Sequence, residues 1–509
     1  MEFIELVILC LAALFLRSWW RYWCRTGGEA KNLPPGPPGW PIVGNLKQVF
    51  LRRKAFIFIL RDLREKYGPI FTMQMGQRTF IIVTSPDLIH EALVQKGPLF
   101  ASRPPESPIR LLFSLGKCSV NAAEYGPLWR YLRRNFVAQL VNPAKIRQCS
   151  WIRSWAIENH LKRLVNEASE KGFVEVMSNC RLTVFSILFC LCFGARISDD
   201  RVREIEAVQR DVIKIGTPTL PDFLPSLMPL FRRQFEEAKE IRRKQMECFV
   251  PLVRKRKAFV ERNGNPSSEM ASPIGEAYVD SLFHLEPPGR GRLGDGELVT
   301  LCSEVINAGT DTTAATLEWA MLELVLNQDI QEKLYKEIMD FAGKDGIVKE
   351  EDVERMPYLG AVVKETFRRR PPSHLLLSHS AMEEAELGGY RIPAGANVEF
   401  YIAWATQDPG LWEDPDEFRP ERFLSGDGVD VDLTGARGVR VVPFGAGRRI
   451  CPAMSLGILH VSLLVARMVQ AFKWVAVPGA PPDPTEESTF TVVMKDHLKA
   501  MILPRCSST

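Results

Sequence analysis

The sequence has little net charge. Its 65 Lys and Arg nearly balance 61 Asp and Glu, leaving +4 over 509 residues. It also has no long basic run and no zinc-finger spacing, so nothing in it points to nucleic acid as a partner. No internal repeat is visible. The eleven cysteines form no framework. Cys190 and Cys192 are too close for a routine bridge, and Cys118, Cys149, Cys180, Cys248 and Cys302 lack metal-type spacing. A reducing compartment for the main body fits this pattern. What remains is ordinary for a folded chain, 46% apolar and 25% charged, long enough for one large or two to three ordinary domains.

The first residues set an expectation of location. Phe3 to Leu16 is apolar apart from Glu5, and Trp19, Trp20, Tyr22 and Trp23 follow, mixed with Arg17, Arg21 and Arg25. Aromatics suit the headgroup region, and arginines on one flank keep that flank cytosolic. The apolar stretch is short for a full span unless it is counted through Trp23, with the arginines snorkelling. A cleaved signal would place positive charge before the apolar run, whereas here it follows. Residues 1–25 are therefore expected to be a retained membrane anchor with a cytosolic body. Residues 26–41 form a hinge stiffened by Leu33-Pro34-Pro35-Gly36-Pro37-Pro38-Gly39-Trp40-Pro41. Residues 42–509 form the body.

Within the body, Ile70–Thr84 alternates as a hairpin turning near Gly76-Gln77. Pro86–Lys96 reads as a helix. Several amphipathic helices are expected from Pro143 to Arg262, interrupted at Gly194 and around Pro218–Pro229. Asn263–Ser272 and Glu286–Gly296 read as loops. A long helix is predicted over Cys302–Asn327, and an apolar helical segment over Met454–Phe472. Other strand-like runs are confined to Tyr390–Tyr401 and Thr489–Leu503. The fold class is mainly α with a minor β-sheet.

Phe444-Gly445-Ala446-Gly447-Arg448-Arg449-Ile450-Cys451-Pro452 carries most information. It is a glycine-rich loop with one cysteine, placed ahead of an apolar helix. A thiolate is a good axial ligand for haem iron. Glycines let the backbone approach a flat cofactor, and amides at a helix N-terminus stabilise negative sulfur. Arg449 suits a haem propionate as a charge-assisted partner. At these residues the chain resembles a cytochrome P450, whose loop reads Phe-x-x-Gly-x-Arg-x-Cys-x-Gly. The departure is Ala453 at the last glycine, which leaves ligation in place and alters packing at the haem edge.

The resemblance implies the P450 fold, haem b (iron protoporphyrin IX) as cofactor, Cys451 as iron ligand, and Phe444 and Gly447 as cofactor-loop residues. It extends to Ala308-Gly309-Thr310-Asp311-Thr312-Thr313. Ala308 and Thr312 are four apart and share a helical face, and small residues there leave room for a ligand. Mid-helix glycine and threonine weaken a helix, so a functional reason for them is expected. In the family the acid and alcohol deliver protons to dioxygen, which makes Asp311 and Thr312 the expected catalytic pair. Trp129 and Arg133, also four apart, match residues near the propionates, and His379 falls where the family often has another propionate partner. His460 reads as structural. Glu365 and Arg368 with Arg422 match a buried charge network that is structural. Arg130, Arg134, Arg147, Arg437, Arg440 and Arg448 would form a basic face for an acidic reductase. Only residues 452–509 follow the cysteine, with no nicotinamide or flavin module, so electrons are expected from NADPH-cytochrome P450 reductase.

By the same analogy four segments line a pocket: Arg103–Tyr125, Cys302–Thr316, Pro371–Ser378 and Ser488–Val493. They supply Leu111, Leu112, Phe113, Val120, Val305, Ala308, Leu375, Leu376, Leu377, Phe490 and Val492, an apolar lining. Pro34-Pro35-Gly36-Pro37, Glu318-Trp319 after the Ala308–Thr313 run, and Thr434-Gly435 before the cysteine loop are similar to plant P450s that hydroxylate or epoxidise fatty acids within the chain, enzymes linked to cutin. The expectation is a monooxygenase on the endoplasmic-reticulum membrane that uses dioxygen and a fatty acid. Alternatives are a hydroxylase of a terpenoid or phenylpropanoid, a hydroperoxide-rearranging enzyme, and a haem sensor or carrier.

Overall fold

The computed structural model describes residues 32–51, 56–262, 276–342, 346–488 and 491–505. The expected anchor, the first hinge residues, the Asn263–Ser272 loop and Phe490 lie outside these residues.

The hairpin forms where the alternation places it. Strands β1 (Ile70–Met75) and β2 (Arg78–Val83) pair antiparallel across Gly76-Gln77. The Tyr390–Tyr401 run splits into two short strands, because Pro393 has no amide to give a ladder and Ala396 closes a turn on its carbonyl. Its second half, β4 (Asn397–Phe400), lies parallel to β2 and antiparallel to β3 (His379–Ser380). The sheet order is β1-β2-β4-β3. The end of the chain contributes strands Val492–Met494 and Lys499–Pro504 to two smaller sheets.

Helices dominate the rest. The principal ones are α1 (Pro127–Phe136), α2 (Ser150–Lys171), α3 (Val176–Phe193), α4 (Asp199–Ile215), α5 (Arg232–Glu261), α6 (Asp295–Leu326), α7 (Gln328–Ala342), α8 (Pro357–Arg369) and α9 (Met454–Ala471). Helix α6 starts seven residues before the predicted point. Asp295 and Glu297 favour its N-terminal dipole, and Glu297 accepts the Gly294 amide at 2.9 Å. The helix predicted over Pro86–Lys96 is regular to His90 and widens into a π-turn over Glu91–Gln95.

Two expectations need correcting. Helix α3 is not amphipathic but buried on nearly every side, and it joins α2, α6 and α9 in the main core. Both α3 and α9 are long and apolar enough to cross a membrane, yet 89% of α3 and 61% of α9 is buried inside the protein. They are core helices. A second correction concerns Gly309. A Cβ there would lie 2.6 Å from Leu188 Cδ1, so this mid-helix glycine has a packing cause, the close approach of α6 to α3. Val492, expected in the pocket by analogy, is buried like Val120 and Val305, and its carbonyl accepts the Trp319 indole N–H at 3.0 Å. Glu318, fully buried next door, accepts the Leu498 amide at 2.9 Å.

Candidate active site

The cysteine loop is shaped by what presses on it. Gly447 has φ +67, and a Cβ there would collide with the Leu93 carbonyl oxygen in the π-turn. Gly447–Arg449 forms one 3₁₀ turn, after which the Cys451 amide donates to the Phe444 carbonyl at 2.8 Å. The Phe444 ring packs edge-on against Phe367 of α8, with centroids 5.1 Å apart. Cys451 is half-buried just before α9. Burial pushes its thiol up, while the Ala453 amide and the Arg133 charge pull it down.

Three predicted cofactor residues gather beside this loop. Arg133 Nη2 donates to the Ile450 carbonyl at 2.5 Å. Arg449 reaches away from the loop, donating to the carbonyls of Ala101 (2.7 Å), Val120 (3.2 Å) and Ala123 (2.5 Å). Both guanidiniums face the Trp129 ring, at 5.8 and 4.6 Å from its centroid. Burial and the nearby Arg103 and Arg133 charges push Arg449 down to about 9. His379 is buried, its Nδ1 2.6 Å from the Phe100 carbonyl. Burial, with Arg103 and Arg449 nearby, holds its imidazole well below the usual range, so the ring is neutral at neutral pH.

Helix α6 carries the other expected residues, Ala308, Asp311 and Thr312. Ala308 is exposed although most of its helix is buried, and the Thr312 hydroxyl donates to the Ala308 carbonyl at 2.7 Å. Asp311, the other member of the expected pair, faces α3. Its carboxylate is clamped by Arg181 of α3, at 2.9 Å from Nε and 2.5 Å from Nη2. Arg181 also lies 3.4 Å from Glu206 of α4. Asp311 thus faces a small recess shared with Glu206, Gln209, Arg210 and Asn307, and among these contacts none joins it to the Thr312 hydroxyl.

The charge network closes as the spacing suggests. Glu365 and Arg368 form a two-pronged pair at 2.7 and 2.8 Å, and Arg422 Nε joins Glu365 at 3.1 Å. All three side chains are fully buried. Arg368 further donates to the carbonyls of Thr406, Pro415 and Glu417. On the surface Arg130, Arg134, Arg147, Arg437 and Arg448 are exposed. Arg440 is not. It lies 4.3 Å from the Trp412 ring centroid and donates to the Asp427 and Leu411 carbonyls, so it braces the loop instead of joining the face.

Of the predicted apolar lining, Leu111, Leu112 and Phe113 share the short helix Pro108–Ser114, and Val120 and Val305 are buried. Leu375 packs under the β1–β2 sheet, and Leu376 on its other side near Gly445. Leu377 is half exposed.

Three residues escaped the sequence reading. Glu304 accepts the amides of Val120 (2.9 Å) and Asn121 (2.5 Å), the loop whose carbonyls hold Arg449. Burial pushes Glu304 up to about 7, against the pull of those amides. A signal existed, since Glu304, Ala308 and Thr312 are spaced by four on one face. Arg103 donates to the carbonyls of Asn121, Leu377 and Ser378, each at 2.8 Å. Arg181 had no local signal.

The residues at the loop fit a haem. Trp129 Nε1 is buried without a hydrogen-bond partner, two arginines flank it, and Gly447 brings the loop close. Fold and site define the haem-thiolate class of proteins. A cytochrome P450 family profile matches residues 34–503, and the chain belongs to that family. It is 36% identical to Cytochrome P450 89A9 of Arabidopsis thaliana, over 93% of this chain and 94% of the relative. It is 30% identical to a carnosic acid synthase of Salvia fruticosa, over 94% and 95%. A zebra fish cytochrome P450 solved with abiraterone shares the fold, with a TM-score of 0.71 and 23% identity over 88% of this chain and 99% of that one.

Proposed function

We propose that this monooxygenase acts on fatty acids, hydroxylating saturated chains in mid-chain and epoxidising those with an internal double bond. Cys451 would hold the iron of haem b, and Trp129, Arg133 and Arg449, with His379 beyond them, would hold its propionates. The observation that carries the enzyme class is the gathering of Trp129, Arg133 and Arg449 at the cysteine loop. When bound, the haem supplies activation of dioxygen and transfer of one oxygen atom, the other leaving as water.

The chain's own residues set what surrounds that chemistry. Thr312 keeps its hydroxyl on the Ala308 face, where it holds a proton at Oγ1. Asp311, fixed by Arg181, would pass protons from the recess by Glu206 toward that face. Ala308 leaves room for the substrate. Leu111, Leu112, Phe113, Val120, Val305, Leu375 and Leu376 are apolar walls that suit an alkyl chain and exclude water. The exposed arginines around the cysteine loop suit an acidic reductase, taken to be NADPH-cytochrome P450 reductase. With the expected anchor, the enzyme would sit on the cytosolic face of the endoplasmic reticulum.

A second reading, oxidation of another hydrophobic plant metabolite, is favoured by relatives named as carnosic acid synthases. The test uses microsomes containing the chain and a plant reductase, supplied with NADPH and lauric, oleic or linoleic acid. Mid-chain alcohols or epoxides, found by mass analysis and lost in Cys451→Ala, support the fatty-acid reading. A sound thiolate–haem spectrum without oxidised product discards that substrate and keeps the enzyme class.

A further inference from the structure

Close to Leu375, one of the residues proposed to wall the pocket, lies a carboxyl that the reaction does not use. Glu399 sits in the middle of β4 and is 5% exposed. Its neighbours Val398 and Phe400 turn to the face that packs with Ile81, Val83 and Leu387. Alternation sends Glu399 to the other face. There it pairs in register with Ile82, and Phe80 pairs with Asn397. Phe80 and Ile82 pack with Leu375 and Leu224. On this face the sheet thus meets Leu375. The helix carrying Leu111 to Phe113 also comes near, since its Arg110 acts on the Glu399 charge.

The Ser378 and Asn397 side chains lie beside the carboxylate and favour its charged form, yet Oε1 is buried without a hydrogen-bond partner. Such an oxygen is costly to leave unpaired. Burial pushes the acid up to about 7. A cation would find Arg103 and Arg110 already beside the carboxyl. A carboxylate would meet a second negative charge, and Arg103 already donates to three backbone carbonyls. A hydroxyl avoids both problems: it donates to Oε1 and brings no charge to desolvate.

We infer that Glu399, with Ser378 and Asn397, forms a polar subsite in the pocket wall that takes a hydroxyl group of a lipophilic substrate. The inference rests on the monooxygenase reading and narrows its substrates to lipophilic molecules carrying an alcohol, hydroxylated fatty acids among them. Glu399 is in this role a specificity-determining residue.

The test is a matched pair of ligands, 1-dodecanol and dodecane, titrated against the haem-loaded full chain by spin-state shift and by calorimetry. Wild type is expected to prefer the alcohol by about tenfold, the scale of one hydrogen bond to a charged acceptor. Glu399→Leu should erase that preference, and Glu399→Gln, which keeps an acceptor oxygen, should retain part of it. Equal weakening of both ligands in Glu399→Leu, or a gain for lauric acid alone, overturns the subsite. Each variant is first checked for its carbon-monoxide spectrum. Absence of a thiolate spectrum in wild type would sink the enzyme reading instead, so the two failures are distinguishable.

Discussion

The cysteine loop is written in short spacings, and short spacings survive folding. Cys451, Arg449, Gly447 and Phe444 lie within eight positions, while Trp129 and Arg133 are one helical turn apart. Geometry that local reads directly from sequence. Arg103 and Arg181 act across eighteen or more and 130 positions respectively, and nothing local marks such contacts; Glu304, acting across more than a hundred, is marked only by its spacing from Ala308 and Thr312. Two predictions belong at this scale. Gly447→Ala should force the loop off the Leu93 carbonyl and lower bound haem severalfold, as measured by pyridine haemochrome content, with helical circular dichroism retained. Thr312→Ala should cut product formation by about 10²-fold, the low end of what a positioned proton-transfer group contributes, while the carbon-monoxide spectrum persists. Full turnover in that variant would remove the hydroxyl from the chemistry.

Elements are held to one another by buried charge. Glu365 ties α8 to the Arg422 segment, and spacing alone could not tell this from a solvated surface pair; what settles it is zero exposure at all three side chains. Glu365→Gln takes the paired carboxylate from buried Arg368 and leaves Arg422 with Asp427 at 3.3 Å, and urea unfolding should show a loss of roughly 3–5 kcal/mol. Glu486 starts a short strand (Glu486–Ser488) that forms a second hairpin with Val492–Met494, and it docks on the end of α8 through Arg370 at 2.7 Å and on His374 at 3.3 Å. Burial alone would raise its carboxyl, but His374 and Arg370 win and hold it down at about 2. A depressed carboxyl stabilises the fold above its ordinary pKa and loses that contribution as pH falls toward the folded value. The Tm gap between wild type and Glu486→Gln should be full at pH 5–7 and close as pH drops from about 4.5 to about 2. A gap that persists at the acid end would show that shape, not charge, is what the hairpin needs.

At the level of the whole molecule, the sequence announces a helical body with a minor sheet, and the periodicities place most elements. They misjudge α3, because a helix buried all round has no polar stripe to set its phase. They also cannot say that Arg440 turns inward, since that depends on where Trp412 lands. The exposed arginines Arg130, Arg134, Arg147, Arg437 and Arg448 are the ones proposed to meet an acidic reductase. Reduction by an acidic partner should slow as ionic strength rises from about 0.01 to 0.15 M, over which screening shortens from about 30 to 8 Å; a stopped-flow series measures it, and Arg448→Glu should flatten the dependence.

The burial of α3 also has a consequence in time. Its Leu188 is covered by Gly309 of α6, which begins at Asp295. A ribosome must therefore add residues 194–294 before that cover starts to emerge. At about 5–20 residues per second this takes on the order of 5–20 s. Through that interval an eighteen-residue apolar helix is without its main partner, an opening in which chaperones, the membrane surface and other nascent chains compete for it.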